Sequence, residues 1–503
     1  MKKWLLLLAL AGLAISPPLP ARPGGGHSSS SHSSSSSHSS GGWSHSGSSW
    51  STHDSSGNSS GSAHPMSSLE ALILFIIIVV IVIIVLRSQA GARSMVTAPP
   101  AQYRAQRQQS IAEQIAALKQ ADANFSAVVF LDFAHSLYCK FYEYSTKPEF
   151  SYLSPFLSTE LQGHFQRSQP WTVSEIVVNS LRWLEIGTAG SDTDTITVEF
   201  DANYTLDLQD QRSRYAVVER WQFYRRKGLL SGEPEKIQSV NCPQCGAPAH
   251  FTDAGVCSYC GASVQKGDAQ WCLGKRVVVA THAAPAVAGL AAYAEEQGTQ
   301  AITVKQADLI EQMNRWQQRY GIAEWQQFWL PFENDEVRNY FAAIYGHWSR
   351  RDWQAARHLL SDRLYETNAF WQKMYVERGW FNRLEHLRIE QIVLAKIDSD
   401  KFYEAITVRI FAACNDYTED AGGKIVGGSK TSLRRFSEYW TFVRRSGKER
   451  QEKPYSLSQC PSCGAPADNM GQSGECGYCG SKISTGQFSW VLFLIEQDEV
   501  YCG

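Results

Sequence analysis

Eight of the twelve cysteines in this 503-residue chain fall into two sets with nearly the same internal spacing. Each set is C-x2-C, a loop of eleven or twelve residues, and a second C-x2-C. Four thiolates at this spacing can surround one tetrahedral Zn²⁺ at about 2.3 Å, because each C-x2-C turn points two sulfurs at one ion. The sequence therefore predicts two zinc ribbons. Their ligands are Cys242, Cys245, Cys257 and Cys260 in the first set, and Cys460, Cys463, Cys476 and Cys479 in the second.

The ligand type indicates a structural role for both zinc ions. A catalytic zinc keeps one coordination position open and has three protein ligands, whereas four cysteines fill the sphere. Neither ribbon is basic, since Lys266 in the first is outnumbered by Asp253 and Asp268. Phosphate contacts need lysine and arginine, so we expect no nucleic-acid partner, and the net charge of -2 agrees. Docking of another protein stays open as an alternative role of the ribbons.

The sequence around the cysteine sets is repeated. Before each set stands a strand-like segment with the pattern E-x-W-x-F-x-R-R, and after each set stands a tryptophan. All of these positions recur after 219 residues, so a whole domain is expected to be duplicated. The matched positions are Glu219, Trp221, Phe223, Arg225 and Trp271 in the first repeat, and Glu438, Trp440, Phe442, Arg444 and Trp490 in the second.

Each repeat contains stretches of helical length followed by alternating stretches of strand length. Helices followed by antiparallel strands indicate an α+β fold, in which a curved sheet wraps helices into a cone with an apolar interior. In the first repeat we predict helices at 125–144 and 153–166 and strands at 176–186, 195–206, 214–224 and 270–280. In the second we predict helices at 336–349 and 353–367 and strands at 384–397, 403–414, 431–443 and 488–496.

These elements define two tandem domains. The first is predicted at 121–281, with its ribbon at 240–262, and the second at 300–500, with its ribbon at 458–481. An Ala/Gly-rich linker at 282–299 joins them.

The N-terminal region has a different composition. Residues 1–21 combine Lys2 and Lys3 with an apolar run and a small residue, which is typical of a secretory signal peptide. Residues 22–68 are almost entirely Ser, Gly and His, which predicts a disordered segment. Residues 69–86 contain only one charge, Glu70, and are about as long as the minimum that can cross a bilayer. We predict one transmembrane helix there, and hence an integral, single-pass membrane protein.

The flanking charges orient this helix. Residues 22–68 carry only Arg22 and Asp54, whereas four arginines follow the helix between positions 87 and 107. Positive charge favours the cytoplasmic side, so both ribbon-bearing domains are expected in the cytoplasm and the Ser/His-rich segment outside. In the juxtamembrane segment at 87–120, Ile111, Ile115 and Leu118 form an apolar stripe. This stripe either lies on an anionic membrane surface or docks on the following domain.

Three short patterns resemble a known family. They are Asp122-x-x-Phe125, Leu157-Ser158-x-x-Leu161, and the W-x-F-x-R segment at Trp221. The chain resembles the Tim44-like family, named for the matrix-side tether subunit of the mitochondrial presequence translocase, over residues 121–281 and 300–500. The resemblance implies the cystatin-like cone of nuclear transport factor two in each repeat. Membrane-anchored bacterial relatives imply a place at the bacterial inner membrane and a role in protein transport or membrane assembly.

The sequence contains no Walker loop, G-x-S-x-G, H-E-x-x-H or dinucleotide fingerprint. We therefore expect a non-enzymatic, membrane-anchored scaffold that engages a membrane protein or a lipid-like ligand. A lipid carrier and a cone-type enzyme are the alternatives, and an enzyme would have to use Glu199, Glu219 or Glu438. An open apolar cone favours the carrier, an ordered polar group deep in a cone favours the enzyme, and a filled cone favours the scaffold.

Two further groups of residues have alternative interpretations. The clusters beginning at Arg225 and Arg444 either form a solvated rim or grip anionic lipids. Trp316, Trp325 and Trp329 either pack in the core or line a ligand pocket. The sequence gives no indication of the oligomeric state.

Overall fold

The structure is a computed structural model that describes the two repeats and not the N-terminal region. It describes residues 101–165, 171–189, 192–208, 211–234, 251, 256–262, 270–283, 298–447, 459–460, 462–466, 476, 478–479, 484, 486–498 and 501. The predicted signal peptide, Ser/His-rich segment and transmembrane helix at 69–86 lie outside these residues. Among the helices that are described, none is long and apolar enough to cross a membrane.

The N-terminal half consists of helices followed by an antiparallel sheet. The sheet has the strand order β1-β2-β3-β4, so each strand pairs with its neighbour in the chain. The helices are α1 (Ala101–Ala121), α2 (Ala127–Tyr144), a 3₁₀ helix (Pro148–Phe156) and α3 (Thr159–Phe165). The strands are β1 (Trp171–Ala189), β2 (Thr193–Leu208), β3 (Gln211–Arg226) and β4 (Cys272–Ala283).

The C-terminal half has the same order of elements with additions. Its sheet runs β5-β6-β8-β9, and a short strand β7 pairs with β6. The helices are a 3₁₀ turn (Gly298–Gln300), α4 (Leu309–Tyr320), α5 (Gln326–Pro331), a π-helix (Phe332–Arg338), α6 (Asn339–Arg350), a 3₁₀ helix (Trp353–Leu359) and α7 (Asp362–Glu377). The strands are β5 (Phe381–Ser399), β6 (Tyr403–Glu419), β7 (Ile425–Gly428), β8 (Arg434–Arg445) and β9 (Val491–Gln497). The predicted α+β class is confirmed.

Helix α1 belongs to the N-terminal half. Its stripe of Ile111, Ile115 and Leu118 is buried in the same core as α2 and the sheet. Of the two alternatives for this stripe, docking on the following domain is the one that the structure shows. Helix α1, which precedes the predicted domain start at 121, therefore shares the core of this half.

Each half has an interior filled by aromatic rings. In the N-terminal half, Phe130 of α2 lies 5.3 Å from Phe223 and 5.6 Å from Trp271, measured between ring centroids. In the C-terminal half, Phe332 lies 5.6 Å from Phe442 and 5.0 Å from Trp490. The same helix position therefore contacts the same two strand positions in both halves.

The π-helix marks a one-residue difference between the halves. Phe130 and Tyr142 are separated by twelve positions on α2, whereas the matched Phe332 and Tyr345 are separated by thirteen. Both ends of this stretch keep the same contacts with the sheet. The additional residue is accommodated as a wider turn at Phe332–Arg338, as expected for a π-bulge within an α-helix.

The predicted helices at 153–166 and 353–367 are each broken in the structure. Leu157 and Leu360 are extended and form parallel bridges with Leu273 of β4 and Leu492 of β9. The next residue donates its backbone N–H to the same strand, at 2.9 Å for Ser158 and 3.0 Å for Ser361. The helical pattern of the sequence was misleading here because a tertiary backbone pairing replaces one helical turn.

The first arginine of each cluster, Arg225 in β3 and Arg444 in β8, is not part of a solvated rim, whereas Arg226 and Lys227 are exposed. Arg225 is buried, and its guanidinium lies 2.9 Å from Asp122 Oδ2 and 4.5 Å from the centre of the Trp271 ring. In the C-terminal half, Arg444 lies 2.8 Å from Glu404 and 4.7 Å from the centre of the Trp490 ring. Both alternatives stated for the cluster are therefore wrong for Arg225 and Arg444. Each of these arginines instead contacts the tryptophan that follows the cysteine set in the sequence.

We predict that Asp122→Ala lowers the free energy of unfolding by about 3–5 kcal/mol, because Arg225 would remain as an uncompensated buried charge. Urea denaturation of the full chain in detergent, followed by tryptophan fluorescence, measures the change. The control is Glu143→Ala, which removes an exposed ion pair with Lys147 and is expected to cost about 0.5 kcal/mol or less. Equal shifts for the two variants would contradict the prediction.

Candidate metal centre

The structure brings the four cysteines of the second set together. Their sulfur atoms all lie within 4.8 Å of one another. The Sγ atoms of Cys460 and Cys479 are 3.9 Å apart, and those of Cys463 and Cys476 are 3.8 Å apart. A tetrahedral ion with metal–sulfur bonds of about 2.3 Å holds its ligands about 3.8 Å apart. The four side chains therefore fit one tetrahedral, thiolate-bound ion.

The first turn of this set has the backbone of a metal knuckle. Gly464 donates its N–H to Cys460 O at 2.8 Å, and Cys460 donates its N–H to Ala465 O at 2.6 Å. Gly464 has a φ of 76°, a value that glycine adopts at no steric cost. This closed turn holds Cys460 and Cys463 on the same side, so both sulfurs can reach one ion.

The protonation of the cysteines also suits a cation. Burial raises the pKa of the Cys460 thiol. The backbone N–H of Ala465 lowers the pKa of Cys463, but burial and the neighbouring thiols outweigh it and raise the pKa to about 12. A metal ion would displace the protons of these two thiols, because thiolates are its ligands. A metal ion would therefore hold this ribbon together and would have no open position for catalysis.

The ribbon is attached to the C-terminal half close to β8. Arg445 donates its N–H to Gly486 O at 2.8 Å, and Ser484 Oγ donates to Asp362 Oδ1 at 2.9 Å. A side chain at Gly486 would place Cβ 2.9 Å from the Arg444 Cα, so only glycine allows this close approach. The segment after the ribbon is thereby joined to β8 by a backbone hydrogen bond and to α7 by a side-chain hydrogen bond.

The first cysteine set is described only in part. Cys242 and Cys245 lie outside the described residues. Cys257 and Cys260 form the same turn as Cys460 and Cys463, since Gly261 N–H donates to Cys257 O at 2.9 Å and Cys257 N–H to Ala262 O at 2.9 Å. Cys257 is buried in the core of the N-terminal half and bridges to Phe251. This half of the first set is therefore arranged as one knuckle of a ribbon.

Each of the three strand glutamates accepts hydrogen bonds from other side chains of the protein. Glu199 accepts hydrogen bonds from Arg182 and Arg220, both at 2.9 Å from their Nε atoms. Burial raises the pKa of Glu199, but the two guanidinium groups outweigh it and hold the pKa below its ordinary value. Glu199 therefore stays ionised between two guanidinium groups. It has no proton to exchange at neutral pH.

Glu219 and Glu438 connect a helix to the sheet in each half. Glu219 accepts from Tyr142 of α2, from Trp221 Nε1 at 2.9 Å and from Arg276 Nε at 2.7 Å. Burial and the charge of Glu219 raise the pKa of Tyr142 well above its ordinary value, so the phenol stays protonated and donates.

In the C-terminal half, Glu438 accepts from Tyr345 at 2.6 Å, from Trp440 Nε1 at 3.0 Å and from Gln497 Nε2 at 3.2 Å. Both carboxylates are fully buried, and the partners named above are strand or helix side chains. The repeated pattern identified the glutamates and tryptophans, but it did not reveal Tyr142, Tyr345, Arg276 or Gln497. The matched tyrosines differ by the one-residue insertion, which hides their correspondence.

The tryptophans of the second repeat pack in the core. Trp316 is buried and lies 4.8 Å from Phe328 and 5.1 Å from Tyr320, measured between ring centroids. Trp325 and Trp329 are partly buried against the same core. Of the two alternatives for these residues, core packing is the one that the structure shows.

Two exposed tyrosines at matched positions were missed by the sequence analysis. Tyr259 is 61% exposed and Tyr478 is 62% exposed, and each stands between the two cysteines of a second C-x2-C turn. Both follow the separation of 219 positions, which is the signal that could have identified them.

Comparison with known proteins identifies one domain. Residues 331–460 match the Tim44-like domain family. A solved structure described as "Ntf2 like protein involved in plasmid conjugation" is 10% identical over 64% of this chain and 90% of that chain, with a TM-score of 0.18. No curated protein sequence matches the chain. A Tim44-like domain in the C-terminal half suggests a binding or scaffold role.

We predict that a Cys460→Ser/Cys476→Ser variant of the full chain binds about one equivalent of Co²⁺ fewer than the unchanged chain, because two of four thiolates are lost. Visible absorption of thiolate-bound Co²⁺, titrated against protein, measures the stoichiometry. Cys139→Ala is the control, since Cys139 lies on α2 outside either set and its removal should leave the titration unchanged. An unaltered stoichiometry in the double variant would show that the second set holds no ion.

Proposed function

We propose that this protein is a non-enzymatic, membrane-anchored scaffold whose two Tim44-like domains face the cytoplasm and bind a partner at the inner membrane. The proposal depends on how tightly the interiors of the two halves are packed. Each is packed with aromatic rings, and the strand carboxylate deepest in it is bonded to a tyrosine and a tryptophan of the same half. Because the interior of each half is filled, we favour a binding surface on the outside of the protein over an active site inside it.

Matched contacts support a second Tim44-like domain in the N-terminal half. Phe130, Tyr142 and Arg225 make the same kinds of contact as Phe332, Tyr345 and Arg444 in the half that carries the family match. Two such domains on one chain raise the effective concentration for a second binding event, so modest affinity of each can give firm attachment.

Two structural zinc ions complete the proposed molecule. The tetrahedral arrangement of the second cysteine set and the matching knuckle at Cys257 support one ion in each ribbon. Zn²⁺ suits four thiolates in a closed site, and its binding energy would stabilise loops that have little core of their own.

The partner that we favour is a protein. Tyrosine is enriched at the centres of protein interfaces, and each ribbon presents one at the tip of its second turn, Tyr259 and Tyr478. A lipid carrier would need an open apolar interior, which the aromatic packing of both halves opposes. An enzyme would need a carboxylate free to act, and Glu199, Glu219 and Glu438 are each held by two or three partners.

Membrane anchoring is proposed from the apolar run at 69–86 and the arginines after it. One such helix cannot form a channel, so anchoring of a cytoplasmic scaffold is the role that it fits. With the zinc-bound thiols in a reducing compartment, the cysteines stay available as ligands.

We predict that a photo-crosslinking amino acid at position 259 or 478 captures the same membrane protein in intact cells, because both ribbons present the same docking side chain. The matched control is position 230, where Leu230 is 59% exposed but lies outside the ribbons. Mass spectrometry of the adducts identifies the partner. Adducts that are equally abundant from position 230, or none from either ribbon, would oppose the docking role of the ribbons.

The enzyme alternative is tested in parallel with Glu199→Gln, Glu219→Gln and Glu438→Gln variants. A hydrolase or isomerase activity of the purified chain that one of these substitutions abolishes, with metal content and melting temperature unchanged, would replace the scaffold by an enzyme.

We predict that protease added to intact spheroplasts trims the Ser/His-rich segment and leaves a fragment containing Trp221 and Trp440 whole. The reason is the positive charge that follows residue 86, which favours the cytoplasmic side. Immunoblotting against tags at both ends of the chain reads out the fragments. Cleavage near Trp221 or Trp440 before lysis would reverse the proposed topology.

A further inference from the structure

A cavity of about 120 Å³ lies between the two halves. One wall comes from α1, α2 and β1 of the N-terminal half, and the other from β5, β6, β8 and β9 of the C-terminal half. It is separate from the metal centre and from the bonded glutamates Glu219 and Glu438, because none of those residues lines it. Neither half alone forms this space.

Most of the lining is apolar. Val128 and Leu131 of α2 face Ala405 of β6 and Phe493 of β9 across the cavity, and these residues also form the contact between the halves. An engineered apolar cavity of about 150 Å³ in another protein accommodates benzene. The space here therefore suits an apolar body of roughly one aromatic ring.

Several polar groups of the lining already have partners. Arg182 donates to Glu199, and Asp398 accepts from Lys119 at 2.7 Å. The hydroxyl groups of Thr407 and Thr441 lie 2.9 Å apart and bond to each other. These groups have their hydrogen-bonding needs met without a ligand.

Lys396 and Glu496 are different. Within the part of the chain that is described, neither side chain makes a hydrogen bond or an ion pair, although both line the cavity. Burial raises the pKa of Glu496, while the charges of Arg363, Lys396 and Arg182 lower it, and the net shift is upward. A cation brought into contact with Glu496 would favour its ionised form.

These two charged groups come from opposite edges of the sheet. Lys396 is on β5 and Glu496 on β9, with β6 and β8 between them. Three strand spacings of about 4.8 Å place their backbones about 14 Å apart. A ligand that meets both side chains must carry opposite charges, and the one-ring apolar body that the cavity accommodates keeps those charges apart.

We propose that this inter-half cavity binds a small elongated zwitterion, a molecule with an apolar body of about one ring, an ammonium group that pairs with Glu496 and a carboxylate that pairs with Lys396. Since the walls belong to different halves, such a ligand also stabilises their contact. The site is independent of the docking role of the ribbons.

Four isosteric probes test the proposal with the full chain in detergent by isothermal titration calorimetry, with titrations into detergent alone subtracted. They are 4-(aminomethyl)benzoate with both charges, 4-methylbenzylamine with the ammonium, 4-methylbenzoate with the carboxylate, and p-xylene with neither. A charged hydrogen bond contributes about 1.5 kcal/mol or more, so the doubly charged probe should bind at least about tenfold more tightly than either singly charged probe.

Substitutions assign each end of the ligand. Glu496→Gln should bring the affinity for 4-(aminomethyl)benzoate down to that for 4-methylbenzoate, and Lys396→Met should bring it down to that for 4-methylbenzylamine. Ala405→Leu should abolish binding of all four probes by filling the cavity. The exposed Glu377→Gln is the matched control and should change nothing. Melting temperature and circular dichroism verify that each variant is folded.

The unchanged chain alone can overturn the proposal, even if a variant fails to fold. Equal affinity for p-xylene and 4-(aminomethyl)benzoate would show an apolar cavity without charge recognition, and absence of binding by all four probes would show that there is no such site. Binding that survives Ala405→Leu would place the ligand elsewhere. Each of these results contradicts the assignment.

Discussion

A carboxylate in the middle of a buried strand must receive hydrogen bonds, and this need fixes helix to sheet in both halves. Glu219 and Glu438 are each given donors by a tyrosine on the central helix and by the tryptophan two residues along the same strand. An unpaired buried carboxylate would cost several kcal/mol, so the helix has one acceptable position along the sheet. The aromatic packing around it, including Phe130 and Phe332, depends on that position.

The same constraint explains how a metal ribbon can be carried on this sheet. The strands that contain Glu219 and Glu438 also carry Arg225 and Arg444 near their C-terminal ends, and each arginine is held between a carboxylate and the tryptophan that follows the ribbon. Entry to and exit from the ribbon are therefore joined by one buried contact. The cysteines need only close a loop whose ends are already fixed, so binding of a metal ion by the second set would be a local event.

Much of the fold could be predicted because it depends on patterns along the chain. The alternation of apolar and polar residues predicted all eight long strands to within a few positions. The repeat showed that Trp221 and Trp440 occupy equivalent positions in the two halves. The failures have a common cause. Leu157 and Leu360 leave a helical pattern to pair with distant strands, and Arg225 is drawn into the core by Asp122. Contacts between residues far apart in sequence leave no local pattern.

The sequence by itself determined the cysteine sets, the repeated E-x-W-x-F-x-R-R segment and the α+β class, because ligand spacing and the periods of helix and strand are local properties. Only the tertiary structure decided what the glutamates do, since their partners Tyr142 and Tyr345 lie 77 and 93 positions away. It also decided that α1 belongs to the N-terminal half and that a cavity exists between the halves. That cavity forms where the surfaces of the two halves meet. The sequence of either half contains no pattern that predicts which surface of the other half it contacts.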